Sequence, residues 1–336
     1  MNAALWIRRF AAAGVLLCLV VVVLGAYVRL TAAGLGCPDW PGCYGHVTPA
    51  GAAESLASQA AYPATPLDVG KAWREMVHRY AAGTLGFLVV LIAALAIAAR
   101  DRARVSVRYA LVLLAVVVLQ GILGMLTVTW QLKPLAVTLH LLGGLTALAL
   151  LWWLWLSVRR APDAGAAPSS DAGRSARTLV IVGLAALGAQ IALGGWTSSN
   201  YAAVACPDFP TCQNEWWPQT DYRDAFVLWR GLGINYEGGV LEHPARVAIH
   251  FTHRLGAVVA SLALLLAAVA VLRQTVLVQA RGPALAVLGA LGLQLAIGIL
   301  MVVNAFPLSL ATAHNAGAAL LVLAAVALLW HTWRGS

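Results

Sequence analysis

Eight apolar runs punctuate the chain, near residues 12–30, 77–99, 107–128, 135–157, 178–197, 247–272, 283–304 and 309–331. Each is close to the roughly 20 residues that a helix needs to cross a bilayer. A segment in hydrocarbon must satisfy its own backbone, and a helix does so. The pattern therefore predicts eight transmembrane helices. The first run follows Arg8 and Arg9, as the core of a signal peptide would. Its length, and the match of Gly25-Ala26-Tyr27 to Gly194-Gly195-Trp196 in a later run, assign it as a retained helix.

The polar positions repeat as well. His78-Arg79 opens one run and His253-Arg254 another, while His140 and His314 lie early in two more. Gln120-Gly121-Ile122-Leu123-Gly124 corresponds to Gln294-Leu295-Ala296-Ile297-Gly298, and the loop Cys37–Cys43 (CPDWPGC) to Cys206–Cys212 (CPDFPTC). The predicted fold is an all-α polytopic membrane protein. It comprises two tandem four-helix bundles, residues 1–160 and 177–336, joined by a flexible Pro-, Ala-, Gly- and Ser-containing linker over 161–176. Four spans per unit give both halves the same orientation, related by a pseudo-two-fold axis along the membrane normal.

Composition agrees with this class. Hydrophobic residues make up 61% of the chain and charged residues 10%, against about 25% charged in soluble domains. The net charge of +9 does not point to nucleic acid. Basic residues collect at one set of run edges: Arg8 and Arg9, Arg100, Arg102, Arg104 and Arg108, Arg159, Arg160, Arg174 and Arg177, Arg273 and Arg281, and Arg334. The positive-inside rule makes that side cytoplasmic. Both termini are then cytoplasmic, and loops 31–76 and 198–246 are external. Residues 49–70 are expected to form short interfacial helices. Trp216, Trp217, Tyr222, Trp229 and Tyr236 suit the headgroup level.

The candidate chemistry lies in His78, His140, His253 and His314. Ionisable side chains inside a membrane are functional candidates by default. All four fall in one layer of the external leaflet, where helices of each half can face His to His across a bundle. Two facing imidazoles can ligate a haem iron, whereas a bare zinc or iron ion would want further ligands. Small residues beside each His admit a flat macrocycle, and they equally admit close helix packing. Arg79 and Arg254 are candidate contacts for anionic carboxylates or interfacial anchors. His46, His243 and His331 have no matched partner and read as loop or edge residues.

One position breaks the repeat. Glu75 precedes His78 by three residues, where the second half has His250 before His253. Residues i and i+3 share a helical face, so Glu75 can reach the pocket of His78. It is either a working carboxylate or a charge favoured near a helix start. Cys18, alone in a helix, reads as a small apolar residue. The external pairs Cys37/Cys43 and Cys206/Cys212 are compatible with disulfides; metal binding and a thiol relay have the same spacing.

Together these residues resemble the haem A synthase family, over nearly the whole chain. The resemblance rests on ExxHR at Glu75–Arg79, its counterpart His253-Arg254, the later His140 and His314, and the paired external Cys. It implies oxidation of a ring methyl of haem O (the C8 methyl) to a formyl group through an alcohol, with water as the oxygen source. It further implies substrate haem O between His78 and His140, a haem b cofactor between His253 and His314, and Glu75 as the catalytic carboxylate. A Cys37–Cys43 disulfide follows from it; the second Cys pair occurs only in some members. Implied partners are haem O synthase and terminal oxidase assembly proteins in the cell inner membrane, and a homo-oligomer is compatible with the sequence. The competing class is a di-haem b electron carrier or haem-binding transporter without catalysis. An acid beside one His pair only, Glu75, is what separates the two.

Overall fold

The computed structural model describes residues 3–100, 106–159 and 171–334. Its helices, in chain order, are α1 (Ala3–Leu30), α2 (Pro49–Glu54), α3 (Leu56–Ala60), α4 (Val69–Ala98), α5 (Val107–Thr129), α6 (Pro134–Arg159), α7 (Asp171–Ser199), α8 (Tyr222–Ala225), α9 (His243–Leu272), α10 (Arg281–Val303) and α11 (Leu308–Arg334). Among the described residues, eight of these are long and apolar enough to cross a membrane: α1, α4, α5, α6, α7, α9, α10 and α11. The only β-pairing there is two isolated bridges, Cys43 with His46 and Cys212 with Glu215. The expected all-α membrane architecture is thus present.

Helices α1, α4, α7 and α9 start several residues before their apolar runs, and in α4 and α9 the start is set by local signals. The Asp68 side chain accepts from the Lys71 N–H at 2.9 Å and caps α4 at Val69. Asp is among the preferred residues for that position. In α9, Pro244 sits in the first turn, where its missing N–H costs nothing. Short helices α2 and α3 occupy the stretch expected to hold them, capped by Thr48 and Ser55. Of the expected linker, residues 161–170 lie outside the described residues, as do Arg102, Arg104 and Arg160. Residues 171–176 are the opening turns of α7 rather than linker. Their Ala and Arg are good helix formers, which apolar periodicity does not register.

In the first four spans, α1 packs on α4 and α6, and α5 packs on the same two helices; in the last four, α7 and α10 each pack on α9 and α11. One core gathers Ile7, Val15, Val89, Ile92, Leu148 and Leu151. The other gathers Val180, Leu187, Leu264, Val271, Leu321 and Val322. The seam between them runs along α1, α6, α7 and α11. There the Trp152 indole donates to the Leu323 carbonyl at 3.0 Å, and Trp330 to the Ser157 hydroxyl at 3.1 Å.

The loop end interlocks the halves again. Arg29 on α1 donates to the Ser198 carbonyl at 2.6 Å and lies 4.0 Å from the Tyr201 ring centre. Lys133 is buried; its ammonium reaches the Gly231 carbonyl and lies 3.7 Å from the Trp229 ring centre. The Tyr236 N–H donates to the Gln131 carbonyl at 3.0 Å. Trp216 and Trp217 are the most exposed aromatics of this loop, Tyr222 and Trp229 are exposed as well although Trp229 packs on Lys133, and Tyr236 is buried. A buried ammonium needs partners, and an aromatic face supplies one.

Candidate functional site

Each of the four histidines lies against a glycine of the preceding span. A Cβ placed on Gly25 would stand 2.9 Å from His78 Cε1, and one on Gly124 would stand 3.4 Å from that of His140. On Gly194 it would stand 3.2 Å from His253 Cε1, and on Gly298 3.1 Å from His314 Cε1. A glycine is thus the residue that lets each ring approach the neighbouring helix so closely. His140 and His314 each lie six residues past the first residue of their helices; His78 and His253 lie nine and ten past theirs. The first pair is therefore no deeper than about 9 Å along the helix axis, and the second about 14–15 Å.

The His78 and His140 ring centres are 6.4 Å apart with planes at 85°. Two imidazoles at that spacing would be able to hold one haem iron between them. Among the described residues, no group of three or more His, Cys, Asp or Glu is arranged to hold a metal ion. A donor set of two imidazoles fits a metal whose remaining ligands come from a macrocycle, as in haem.

A second layer stands behind these rings. Four residues before the glycine, on the same helical face, α5, α7 and α10 carry Gln120, Gln190 and Gln294, and α1 carries Val21. Gln190 Nε2 is 3.1 Å from His253 Nδ1 and donates to the His253 carbonyl at 2.9 Å. Gln294 Nε2 is 3.3 Å from His314 Nδ1 and 3.2 Å from its Nε2, and donates to the His314 carbonyl at 3.1 Å. The carboxamides occupy space opened by a glycine three residues after the His. A Cβ on Gly143, Gly256 or Gly317 would fall 1.8, 2.4 or 2.3 Å from the carboxamide of Gln120, Gln190 or Gln294. At the corresponding position after His78 stands Ala81. The sequence shows the Gln120 and Gln294 segments as a repeat, but their role, and Gln190 altogether, emerge only from the packing of separate helices.

Glu75 is buried, and its two oxygens are both engaged. Oε2 accepts from the Cys37 backbone N–H at 3.0 Å, and Oε1 accepts from the Arg79 guanidinium. Arg79 donates further to the Asp39, Pro41 and Gly42 carbonyls at 2.9, 3.2 and 2.6 Å. Those carbonyls belong to the loop closed by a Cys37–Cys43 disulfide, one of two, with Cys206–Cys212. Each loop ends in a two-residue turn, Tyr44-Gly45 or Gln213-Asn214, with both residues at positive φ as a type I′ turn needs. Asp39 accepts from the Tyr44 and Gly45 N–H groups, and Asp208 from those of Gln213 and Asn214. Burial pulls the Asp208 carboxyl upward, but the Thr211 hydroxyl and these N–H groups hold it below its usual range.

The second half keeps the clamp and changes the acid. Arg254 donates to the Thr211 carbonyl at 2.7 Å and the Cys206 carbonyl at 2.9 Å. His250 stands where Glu75 does, and its Nε2 accepts from Arg254 Nε at 3.3 Å. Both arginines, considered above as candidate carboxylate contacts, are thus engaged with the disulfide loops. Their loop partners are 37 to 48 residues away in sequence, so no local pattern announces them. The three unmatched histidines lie in loops or at helix edges. His46 bonds Ser58 at 2.8 Å, His243 opens α9, and His331 neighbours Trp330 near the chain end.

A family model described as cytochrome oxidase assembly protein matches residues 8–326. The haem A synthase of Shewanella oneidensis is 42% identical over 320 residues, covering 95% of this chain and 94% of that protein. The chain belongs to the haem A synthase family. Members of that family from Rhizorhabdus wittichii and Caulobacter vibrioides are each 28% identical, over 92% and 93% of this chain and 88% and 92% of their own lengths. Membership thus extends over both His pairs, both disulfide loops and all eight spans.

Proposed function

We propose that this chain is an enzyme of the cell inner membrane that converts haem O to haem A. The C8 methyl becomes a formyl group through an alcohol, and four electrons and four protons leave in total as one water oxygen is taken up. The observation that carries the reading is the pair of facing imidazoles at His78 and His140, 6.4 Å apart, in a chain of this family.

In this reading His78 and His140 hold the substrate by its iron, and His253 and His314 would hold a haem b. A haem b there supplies a one-electron acceptor that passes electrons onward from the first half. Glu75 takes a proton from water. A carboxylate offers about four lone-pair sites, so engagement with Cys37 and Arg79 leaves it room to accept another hydrogen. Arg79 and the disulfide loop fix its direction. His250, which receives Arg254 in place of an acid, offers no carboxylate at the second site. The arginine-rich end of the bundle faces the cytoplasm, and the disulfide loops face outward. Haem O synthase would supply the substrate, and oxidase assembly proteins would take the product.

The test uses a host that makes haem O and lacks haem A. Extracted pigments from cells expressing the chain are separated by chromatography. Haem A is expected; pigment that stays entirely as haem O overturns the reading in favour of a non-catalytic haem carrier.

A further inference from the structure

We infer that Gln190 and Gln294 are positioning residues that brace His253 and His314 as permanent ligands, and that Val21 leaves His78 without a carboxamide brace so that the first-half site can exchange its haem. The inference rests on the assignment of substrate and resident haem above.

The geometry is specific. Both ligands of the second half have a carboxamide against the ring: Gln190 Nε2 is 3.1 Å from His253 Nδ1, and Gln294 Nε2 is 3.3 and 3.2 Å from His314 Nδ1 and Nε2. Both carboxamide oxygens, Gln190 Oε1 and Gln294 Oε1, are buried without a partner. A metal on one imidazole nitrogen leaves the hydrogen on the other. That hydrogen needs an acceptor, and turning the terminal amide offers it the orphan oxygen in exchange for the Nε2 bond to the His carbonyl. A metal-ligating His almost always donates its second N–H in this way, which fixes ring orientation and raises ligand basicity.

The first half is lopsided. Gln120 lies behind His140, with its carboxamide Nε2 buried and without a partner. His78 has the Val21 backbone, and no carboxamide, at the equivalent place. The change is double, because Ala81 replaces the glycine that the other carboxamides require. A Gln at position 21 would meet the Ala81 methyl, so the site is built without it. A resident cofactor needs two firm ligands, whereas a site that takes up one haem and releases another needs at least one that lets go.

The test measures haem transfer from purified, haem-loaded protein to apomyoglobin, followed by absorption. Gln190→Leu and Gln294→Leu are expected to speed loss of the low-spin haem b by about 10–100-fold, the usual cost of removing such a partner. Gln190→Glu keeps an acceptor oxygen. It is expected to retain the haem and move its reduction potential to a more negative value, which a packing role would not do. The double variant Val21→Gln with Ala81→Gly installs the fourth carboxamide, and haem in the first half is expected to leave about 10–100-fold more slowly. Misfolding cannot mimic that gain. Unchanged transfer rates in the Leu variants and the double variant overturn the inference while the functional reading stands. Wild-type protein with no low-spin haem on His253 and His314 overturns that reading, and this inference with it.

Discussion

The backbone N–H of Cys37 donates to Glu75 Oε2 at 3.0 Å, which joins a disulfide cysteine to the carboxylate proposed to do the chemistry. Arg79 closes the unit by binding Glu75 and three loop carbonyls at once. In the second half Arg254 binds the equivalent loop, but no acid is present for the Cys206 N–H to meet. In the proposed reading the first loop therefore sets the position of the reacting carboxylate, and the second loop positions no acid.

Removing the two bridges should then have unequal effects. Cys37→Ser with Cys43→Ser is expected to lower haem A formation strongly and to leave the second-half haem spectrum unchanged. Cys206→Ser with Cys212→Ser is expected to cost stability of about 2 kcal/mol, the chain-entropy value for so short a loop, with a smaller effect on haem A. Haem extraction and thermal unfolding of the detergent-solubilised protein check both. Equal haem A yields from the two double variants would detach Glu75 from its loop. Non-reducing mass mapping of wild type should find both pairs oxidised.

The arginines give a parallel contrast. Lysine keeps the charge but lacks the planar fork that reaches several acceptors together. Arg79→Lys should release at least part of its carbonyl set and shift Glu75, so haem A formation falls. Arg254→Lys loosens a loop that carries no acid, and haem A formation should fall less. Arg79→Ala leaves a buried carboxylate without its counter-charge, a change that typically costs about 3–5 kcal/mol. Thermal unfolding reads the stability effect, and pigment analysis reads the activity effect.

Much of this arrangement is legible in the sequence because it repeats at fixed spacing. Apolar runs mark the spans, and the matched offsets single out His78, His140, His253 and His314 from His46, His243 and His331. Glu75 stands out because it breaks the repeat. Less legible are contacts between residues far apart in the chain. Gln190 meets His253 across 63 residues, and Arg79 meets Pro41 across 38. Helix starts at Val69 and His243 are also hidden, since capping by Asp68 and Pro244 acts upstream of the apolar runs. The positive-inside argument depends on short connections. It does not see that Arg29, Arg79, Lys133 and Arg254 at the opposite end are tied into loop contacts.

The second His pair makes a spectroscopic prediction. His253→Ala and His314→Ala each remove one of the two proposed haem b ligands, so neither variant should retain six-coordinate low-spin haem b. Reduced absorption spectra of the purified variants decide it. Normal low-spin spectra in both would show that the haem is held elsewhere. Haem A formation should fall in both variants, because electrons leaving the first half lose their acceptor.

The sharpest prediction concerns Glu75. Glu75→Gln preserves size and keeps an oxygen to accept from the Cys37 N–H, so the loop contact survives. It removes the negative charge that faces Arg79 and the capacity to act as a carboxylate base. Haem should still bind, because His78 and His140 are untouched. Formyl production should collapse, since general acid–base groups contribute about 10²–10⁴ in rate. Haem O, or the alcohol derived from it, should accumulate in a strain carrying only the variant. The converse change, His250→Glu, restores an acid beside Arg254 but leaves the Gln190 and Gln294 contacts to His253 and His314, the proposed resident-haem ligands, in place. It should therefore create no second site of formyl production. Chromatography of extracted haems separates the outcomes. Wild-type haem A levels in Glu75→Gln would remove the carboxylate from the mechanism. Loss of all bound haem would make Glu75 a structural tie between α4 and the first disulfide loop, with the chemistry carried by another group.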